Sequence, residues 1–401
     1  MCLLEVDSKE AEAVMKALVL NTEQNTAHVD NIPQPIAKAD EVLLQVHAVA
    51  LNPVDPLYVF NPLGSTGRVV GSDFAGTIAS LGESVPASCG LHLGDKVAGF
   101  LQGACSVNDR PGAFAEFLVC PWDLVWRVPE GMGFEEASTV SLCGLTAAQA
   151  VYYRLGLEAP FKWRHEIRGG SGVQDDMRVK PKINFFIYSA STSVAMYAAQ
   201  LVHHSAEISG ATIKLFGTAS KSRFQMLQSQ PYCYDHLVDY HDTNWPEKIR
   251  ELSDGRGMDY ILDCISEGDS VTKVSQTLRE GGRLVIVRSK EGGAWKAENL
   301  PVEPVYGAVW EGLGVEIQYS GLTVPKSPEA RAFAVEFYRW LSEGGKLEPN
   351  PVRIMPGGLE RIMGDGFALL GSGLMQDRNQ RREEAWMRPV SAEKLVYRLM
   401  N

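Results

Sequence analysis

Between residues 183 and 288 the sequence alternates short apolar runs with amphipathic stretches, and this alternation constrains the fold more than any other feature. Residues 183–188 (INFFIY) form a continuous apolar run, as expected for a strand buried on both faces of a sheet. Residues 192–203 have apolar side chains at helical spacing. Repeated strand–helix units predict an α/β fold with a parallel, doubly wound sheet, whose ligand crevice lies at the carboxyl ends of the strands.

The two ends of the chain predict a second domain of different architecture. Short strands with Gly and Pro between them are expected at residues 42–49, 73–80, 96–99 and 114–119, which is typical of a barrel or sandwich. After an amphipathic helix at 327–343, strands are again expected at 347–354 and 394–399. We therefore expect a discontinuous barrel-like domain (1–150 and 321–401) with a nucleotide-binding domain (151–320) inserted into it.

Composition narrows the classes of function and the compartment. The 38 Lys and Arg residues against 49 Asp and Glu residues give a net charge of −11, which argues against nucleic acid or an anionic membrane as the main partner. No apolar run reaches the ~18 residues that would span a bilayer, and the acidic N-terminus is unlike a secretory signal. Seven scattered cysteines without a Cys-x-x-Cys pair favour a reducing, cytoplasmic setting.

The turn after residue 188 is where the phosphates of a dinucleotide would bind. It lacks the usual Gly-x-Gly-x-x-Gly, but its small residues permit close approach, and the hydroxyls of Ser191, Thr192 and Ser193 can bond phosphate oxygens at a helix N-terminus. A helix-capping serine without a ligand is the open alternative.

The end of the next predicted strand indicates which dinucleotide is bound. An unphosphorylated cofactor favours an acidic residue there, about 20 residues on, to hold the ribose 2′-hydroxyl. This chain instead has Ser220, Lys221, Ser222 and Arg223, which suit a 2′-phosphate and predict NADPH over NADH. The alternative is that the two cations are merely solvated at a helix start.

Five motifs in order indicate the family. They are LNPVD at 51–55, GSDFAG at 71–76, GDKVAG at 94–99, GAFAEF at 112–117 and VPEG at 128–131. With them the chain resembles medium-chain dehydrogenases/reductases of the zinc-free quinone-oxidoreductase type. The resemblance implies a discontinuous GroES-like β-barrel catalytic domain and a Rossmann nucleotide domain.

Within that superfamily the chain most resembles fungal trans-acting enoyl reductases of polyketide synthases, including the lovastatin type. The glycine-free turn, LDCIS at 262–266 and EKLVYRL at 393–399 are the similar features. The resemblance implies NADPH-dependent reduction of an α,β-unsaturated polyketide thioester carried on the acyl carrier domain of a synthase, in secondary metabolism, by a monomer. A free-standing NADPH quinone or enone reductase, and a non-catalytic NADPH-binding partner of a synthase, stay open.

The resemblance also implies site residues. Cofactor contacts are expected at Val54, Asp55, Pro56, Leu57, Ser191, Thr192, Ser193, Val194, Ser220, Lys221, Ser222, Arg223, Tyr240, Val396 and Tyr397. An acyl and nicotinamide surface is expected at Ser141, Leu142, Cys143, Gly144, Leu145, Thr146, Ala147, Ala148, Val309, Trp310, Glu311 and Gly312.

Zinc is not expected. Alcohol dehydrogenases of this superfamily have Gly-His-Glu where this chain has Gly71-Ser72-Asp73, and their catalytic cysteines and four-cysteine lobe have no counterpart here. The eight histidines have no ligand spacing. Without a metal, the thioester oxygen needs another stabilising donor, and the α-carbon needs a proton.

The sequence leaves the catalytic groups open. Candidates for orienting the substrate are Asn52, Asp55, Tyr58 and Thr146, and water is a possible proton source. Leu57 stands where the family often has lysine, so a lysine acid is not expected there.

Two segments depart from the family pattern: 158–182, and 374–389 with its arginines Arg378, Arg381, Arg382 and Arg388. The second is a surface insertion, a docking element for the synthase, or a mistranslated intron.

Overall fold

The computed structural model of the 401-residue chain describes residues 13–163, 182–297, 299–378 and 382–400. Most of the predicted loop at 158–182 and most of the acidic N-terminal segment, together with Arg381, lie outside these ranges. Within them, none of the helices has both the length and the apolar character that crossing a membrane requires.

The N-terminal part is built mainly of short strands, as the sequence predicts. Its strands are β1 (Val14–Asn21), β2 (Thr26–Pro33), β3 (Glu41–Ala50), β4 (Asp73–Leu81), β5 (Lys96–Phe100), β6 (Phe117–Pro121) and β7 (Val125–Arg127). Its helices are α1 (Val54–Phe60), α2 (Phe134–Ala137) and α3 (Ser141–Ala148), and α3 continues into a π-helical turn at Gln149–Arg154. The β1–β2 hairpin was not predicted from the sequence, because only Ala27 is buried on β2 and the strand therefore lacks a buried apolar face.

The central part is a parallel sheet of six strands. They are β8 (Lys182–Tyr188), β9 (Thr212–Ala219), β10 (His236–Asp239), β11 (Met258–Asp263), β12 (Leu278–Ile286) and β13 (Val305–Tyr306). The connecting helices are α4 (Ser193–Ser209), α5 (Phe224–Gln228), α6 (Trp245–Leu252) and α7 (Ser270–Ser275). The spatial order β10-β9-β8-β11-β12-β13 reverses between β8 and β11, which places the crevice there.

Gly281 and Gly282 predict a turn before a strand at residues 283–288. The structure begins β12 earlier, at Leu278, but its pairing with β11 is irregular at the glycines, since it passes from Leu278 directly to Arg283 and Gly281 has a positive φ of 72°. A Cβ at Gly282 would lie 2.8 Å from the carbonyl oxygen of Met258 on β11, so glycine here permits a close approach of two strands.

The C-terminal part returns to the first domain. It contains β14 (Ile317–Tyr319), β15 (Leu322–Val324), α8 (Pro328–Ser342), β16 (Val352–Met355), α9 (Leu359–Arg361), a π-helical turn at Ile362–Phe367, α10 (Ala368–Leu370) and β17 (Lys394–Arg398). Ser327 caps α8 by accepting a hydrogen bond from the backbone N–H of Ala330 at 3.1 Å, and Phe333, Phe337 and Leu341 form one buried face.

The last strand completes the sheet that the first strands begin. Its path is β16-β17-β3-β4-β5-β7, with β6 also pairing with β3. β17 pairs antiparallel with β3 and parallel with β16. The predicted fold class, a discontinuous GroES-like domain with a Rossmann sheet between its two parts, is confirmed.

The later half of the insertion at 374–389 is anchored on the catalytic domain. The buried guanidinium of Arg353 donates to the carbonyl oxygens of Trp386, Arg388 and Pro389 at 3.1, 2.6 and 2.9 Å. These bonds lead the chain directly into β17, so the insertion leaves the final strand intact.

Candidate functional site

The turn between β8 and α4 lies at the switch point of the parallel sheet. Ser189 adopts a positive φ of 66°, and its backbone N–H donates to the hydroxyl of Thr218 at 3.0 Å. Thr192 caps α4 by accepting from the backbone N–H of Ala195 at 3.4 Å. A side-chain bond to the neighbouring strand and a helix cap therefore hold the turn without the usual glycines.

This turn fits the diphosphate of a dinucleotide. The half-buried Ser191, Ser193 and Val194 line the start of α4, and no partner for either serine hydroxyl is found in the described part of the chain. The helix is 17 residues long, so its N-terminus presents free N–H groups and a partial positive charge. The predicted phosphate-binding residues are thus brought together.

The predicted adenosine-end residues are also close to one another. Lys221 and Ser222 are exposed, the hydroxyls of Ser220 and Tyr240 lie 3.4 Å apart, and Arg223 donates to the hydroxyl of Ser391 at 3.1 Å. These groups form an accessible, cationic surface at the end of β9, which suits a ribose 2′-phosphate.

An acidic residue that was not predicted to be a site residue lies beside this surface. Asp239 ends β10, and both the backbone N–H and the ring Nδ1 of His241 lie within hydrogen-bonding distance, at 3.0 and 2.7 Å. These bonds hold the pKa of Asp239 below its usual value, and the charge of Lys221 contributes. Asp239 also lines, with Lys221, an open cavity of about 550 Å³. An acid at the end of the next strand was visible in the sequence, but only the parallel pairing of β9 and β10 places it beside Lys221.

On the catalytic domain, Val54 and Leu57 are half-buried while Asp55 and Pro56 are buried. The Asp55 carboxylate accepts from the backbone N–H of Asn52 at 2.7 Å and from the hydroxyl of Ser72. Burial nevertheless raises the pKa of Asp55 to about 7, and the hydrogen bonds only partly oppose this rise. Asp55 therefore orients the loop before α1 rather than facing solvent.

A buried ion pair lies next to Asp55. The carboxylate of Asp73 accepts from the ammonium of Lys394 at 2.5 Å, from the side-chain amide of Asn52 at 2.9 Å, and from the backbone N–H of Leu142 at 2.8 Å. Cys143 Sγ lies 3.5 Å from Lys394 Nζ, and burial raises the pKa of this thiol to about 11. Lys394 was quoted in the C-terminal motif but was not predicted to be a site residue.

The same residues test whether zinc fits the catalytic domain. Ser72 stands at the position of a histidine ligand, and its hydroxyl is bonded to Asp55. Asp73 is already neutralised by Lys394, whose charge would repel a second cation. In the ranges that the structure describes, no cluster of three or more His, Cys, Asp or Glu could hold a metal. These residues do not fit a zinc ion.

Most of the predicted acyl and nicotinamide surface is buried instead of exposed. Along α3 only Thr146 is partly exposed, and its hydroxyl donates to the carbonyl oxygen of Leu142. The buried members are Ser141, Leu142, Cys143, Gly144, Leu145, Ala147 and Ala148 on α3, and Val309, Trp310 and Gly312 beyond β13. Glu311 is half-buried and pairs with Arg154 at 3.2 Å. These positions are core because α3 is apolar on nearly all sides and packs between both domains.

Two further residues predicted to contact the cofactor are buried in the catalytic domain. Val396 and Tyr397 are each 0% exposed within β17. The hydroxyl of Tyr397 donates to the carbonyl oxygen of Arg361 at 3.3 Å. The pairing of β17 with β3 and β16 buries both residues, so they are core residues of the catalytic domain in this structure.

A group of phenols faces the carboxyl edge of the nucleotide sheet. Tyr58 on α1 stacks on Tyr319, with ring centroids 6.3 Å apart, and its pKa is raised by burial and by the nearby Cys105 and Tyr306. The charge of Arg288, which follows β12, also acts on Tyr58. No hydrogen-bond partner for the Tyr58 hydroxyl is found among the described residues. It was a predicted orienting residue, whereas Tyr306 and Tyr319 were not.

A doubly wound parallel sheet with a phosphate-binding turn, inserted into a barrel-like domain, defines a nicotinamide-dinucleotide-dependent oxidoreductase. The comparisons agree with this class. Residues 38–130 match the alcohol dehydrogenase GroES-like domain, and residues 199–306 match the zinc-binding dehydrogenase domain.

Similar proteins of comparable length are also found. A trans-enoyl reductase of Aspergillus clavatus (ccsC) is 28% identical over 92% of this chain and 91% of its own, and one of Alternaria alternata (ACTTS2) is 28% identical over 96% and 98%. The crystal structure of the CurK enoyl reductase superposes with a TM-score of 0.63 at 19% identity, covering 96% of this chain and 98% of that one. The chain belongs to the medium-chain dehydrogenase/reductase superfamily, as its sequence motifs predicted.

The raised pKa of Asp55 predicts a pH dependence of stability. Between about pH 4, where the carboxyl ionises in the unfolded chain, and about pH 7, the folded protein retains a proton that the unfolded chain has released. This carboxyl therefore lowers stability as the pH rises. We expect the free energy of unfolding of the wild type, minus that of Asp55→Asn, to fall from pH 5 to pH 7.5 in urea titrations.

Ser72→Ala is the matched control, because it removes a hydrogen-bond donor but keeps the carboxyl. The free energy of unfolding of Ser72→Ala, minus that of Asp55→Asn, should also fall from pH 5 to pH 7.5. It should continue to fall at higher pH, because loss of the Ser72 hydrogen bond raises the pKa of Asp55 further. A difference between the wild type and Asp55→Asn that is independent of pH would contradict the raised pKa.

Proposed function

We propose that this chain is a trans-acting enoyl reductase, which uses NADPH to reduce the α,β-unsaturated thioester of a polyketide held on the acyl carrier domain of a polyketide synthase. The observation that carries this proposal is the similarity to trans-enoyl reductases over more than nine-tenths of both chains. The chain is an oxidoreductase of the class that acts on C=C bonds. The choice of NADPH rests on Lys221 and Arg223, and we propose that the protein acts as a monomer.

The two domains have different roles in the proposed reaction. The hydroxyl-lined turn at α4 and the cations after β9 bind the dinucleotide, which supplies a hydride when it is bound. Reduction of the enoyl thioester leaves negative charge on the thioester oxygen, and the α-carbon must then take a proton. The chain's part is to hold both reactants, to exclude water and to place a hydrogen-bond donor at this charge.

Tyr58 is the donor that we propose for this step. Its phenol faces the carboxyl edge of the nucleotide sheet, and burial raises its pKa, so it stays protonated in neutral solution. The hydroxyl can donate a hydrogen bond to the enolate oxygen. It can then transfer its proton to the α-carbon, after which solvent reprotonates the phenolate. Asp55 and the Asp73–Lys394 pair lie behind α1 and orient the loop that begins this helix.

The proposed function predicts that the purified chain oxidises NADPH only when an enoyl thioester is present. A pantetheine-linked enoyl substrate should cause loss of absorbance at 340 nm with one saturated product formed per NADPH consumed, and the saturated thioester should cause none. Faster turnover of simple quinones would favour a free-standing quinone reductase. NADPH binding without reduction of any thioester, even with the synthase present, would indicate a non-catalytic partner.

Charge reversal at the adenosine end should change cofactor preference. For Lys221→Glu with Arg223→Glu we expect the NADPH KM to rise about tenfold or more, because two charge-assisted hydrogen bonds to the 2′-phosphate are lost. The NADH KM should change little, because NADH lacks this phosphate. Lys214→Glu is the matched control, since Lys214 is exposed near the opposite end of β9. An unchanged ratio of the two KM values would remove the 2′-phosphate assignment.

Replacing the proposed proton donor should slow the reaction without weakening cofactor binding. For Tyr58→Phe we expect kcat to fall by about a hundredfold, the usual scale of general-acid catalysis, at an unchanged NADPH dissociation constant. Product formed in D₂O should carry α-deuterium on one face with the wild type and on both faces with the variant. Tyr319→Phe removes the stacked neighbour's hydroxyl and should retain rate and stereochemistry. If Tyr58→Phe kept the full rate and still gave a product with α-deuterium on one face only, this role would be contradicted.

A further inference from the structure

A dinucleotide bound at the switch point extends from the β8–β9–β10 half of the sheet to the β11–β12–β13 half. The adenosine end is on the first half, so the nicotinamide-side phosphate and ribose lie against the residues that follow β11 and β12. These residues include Glu267 and Arg288, whose side chains are paired at 2.7 Å. The end of β11 is continuous with the phosphate turn, since Cys264 donates its backbone N–H to the carbonyl oxygen of Tyr188 at 3.3 Å.

The chain at 371–378, which leads into the insertion, crosses this edge. Arg288 donates to the carbonyl oxygen of Gly373, and the backbone N–H of Met375 donates to Glu267 at 2.9 Å. On the other side, the Asn61 side chain donates to the carbonyl oxygen of Ser372 at 3.1 Å. The segment therefore contacts both the nucleotide domain and the end of α1, across the mouth of the crevice.

Arg378 ends this segment with an unsatisfied guanidinium nitrogen. Its Nε is buried and has no hydrogen-bond partner among the described residues. Burial lowers the pKa of Arg378, the charge of Glu267 opposes this and the charge of Arg288 adds to it, and Glu267 is already paired with Arg288. A buried donor without a partner costs free energy unless a ligand supplies an acceptor. One positive charge in this cluster is left without a counter-charge.

We propose that Arg378, together with Arg288, binds the nicotinamide-side phosphate of the dinucleotide. The predicted cofactor segment at 54–57 contains no cation, and the α4 N-terminus offers only a partial charge, while a diphosphate carries two negative charges. A guanidinium supplies planar, bidentate donors for phosphate oxygens. The insertion that departs from the family pattern thus contributes to cofactor binding.

This inference rests on the proposed function only in requiring a dinucleotide in the crevice. Dissociation constants of NADPH, NADH and adenosine 2′,5′-bisphosphate would be measured by calorimetry for the wild type and Arg378→Gln. We expect the constants of both dinucleotides to rise about tenfold or more, because both contain the diphosphate. That of the bisphosphate should not change, because it occupies only the adenosine half. Arg378→Lys should restore part of the affinity.

Arg388→Gln is the matched control, because Arg388 belongs to the same insertion but its exposed side chain pairs with Glu393. If Arg378→Gln does not fold, modification of the wild-type Arg378 by phenylglyoxal provides the test, read by mass spectrometry of its peptide. NADPH and NADH should protect Arg378, and the bisphosphate should not.

Unchanged dinucleotide affinity in Arg378→Gln, or no protection of Arg378 by NADPH, would overturn this inference alone. A wild type that binds neither dinucleotide would overturn the proposed function instead.

Discussion

The catalytic domain depends on the buried contact between Asp73, at the start of β4, and Lys394, at the start of β17, which are 321 residues apart in the chain. Breaking such a pair leaves an uncompensated charge in the core, so the two segments of the domain must come together for either residue to be tolerated. Asp73 also binds Asn52 before α1 and the N-terminus of α3. One carboxylate therefore joins β4, β17, the segment before α1 and the start of α3.

The turn between β8 and α4 has the usual strand–turn–helix geometry of a phosphate-binding turn but lacks the usual glycines. Glycines ordinarily permit close approach of backbone to phosphate, whereas here a threonine cap, a bond from Ser189 to Thr218 and small side chains hold the turn. The adenosine end combines exposed cations with Asp239, which lies one strand further on. In the proposed adenosine site, cations that can bind a phosphate therefore lie beside a carboxylate that can accept from ribose hydroxyls. The insertion brings an arginine to the other half of the sheet, at β11 and β12.

Much of the nucleotide domain could be predicted from sequence, because buried parallel strands are short apolar runs that alternate with amphipathic helices. The turns that end its strands could also be located from the sequence, and their role in cofactor binding stays a prediction. Prediction failed where local pattern and tertiary packing disagree. The β1–β2 hairpin was missed because β2 has no buried apolar face, and the start of β12 was missed because an irregular segment at Gly281 and Gly282 interrupts its pairing with β11.

The sequence by itself determined the class of fold and the family, and it was enough to predict two phosphate-binding segments, because each depends on residues adjacent in the chain. Only the tertiary structure decided which of the predicted site residues are buried. Val396, Tyr397 and most of α3 are buried, because strand pairing and helix packing cover their surfaces. The tertiary structure also brought Tyr58 to Tyr319, and Arg288 to Glu267. Such juxtapositions join residues far apart in sequence, and no local pattern encodes them.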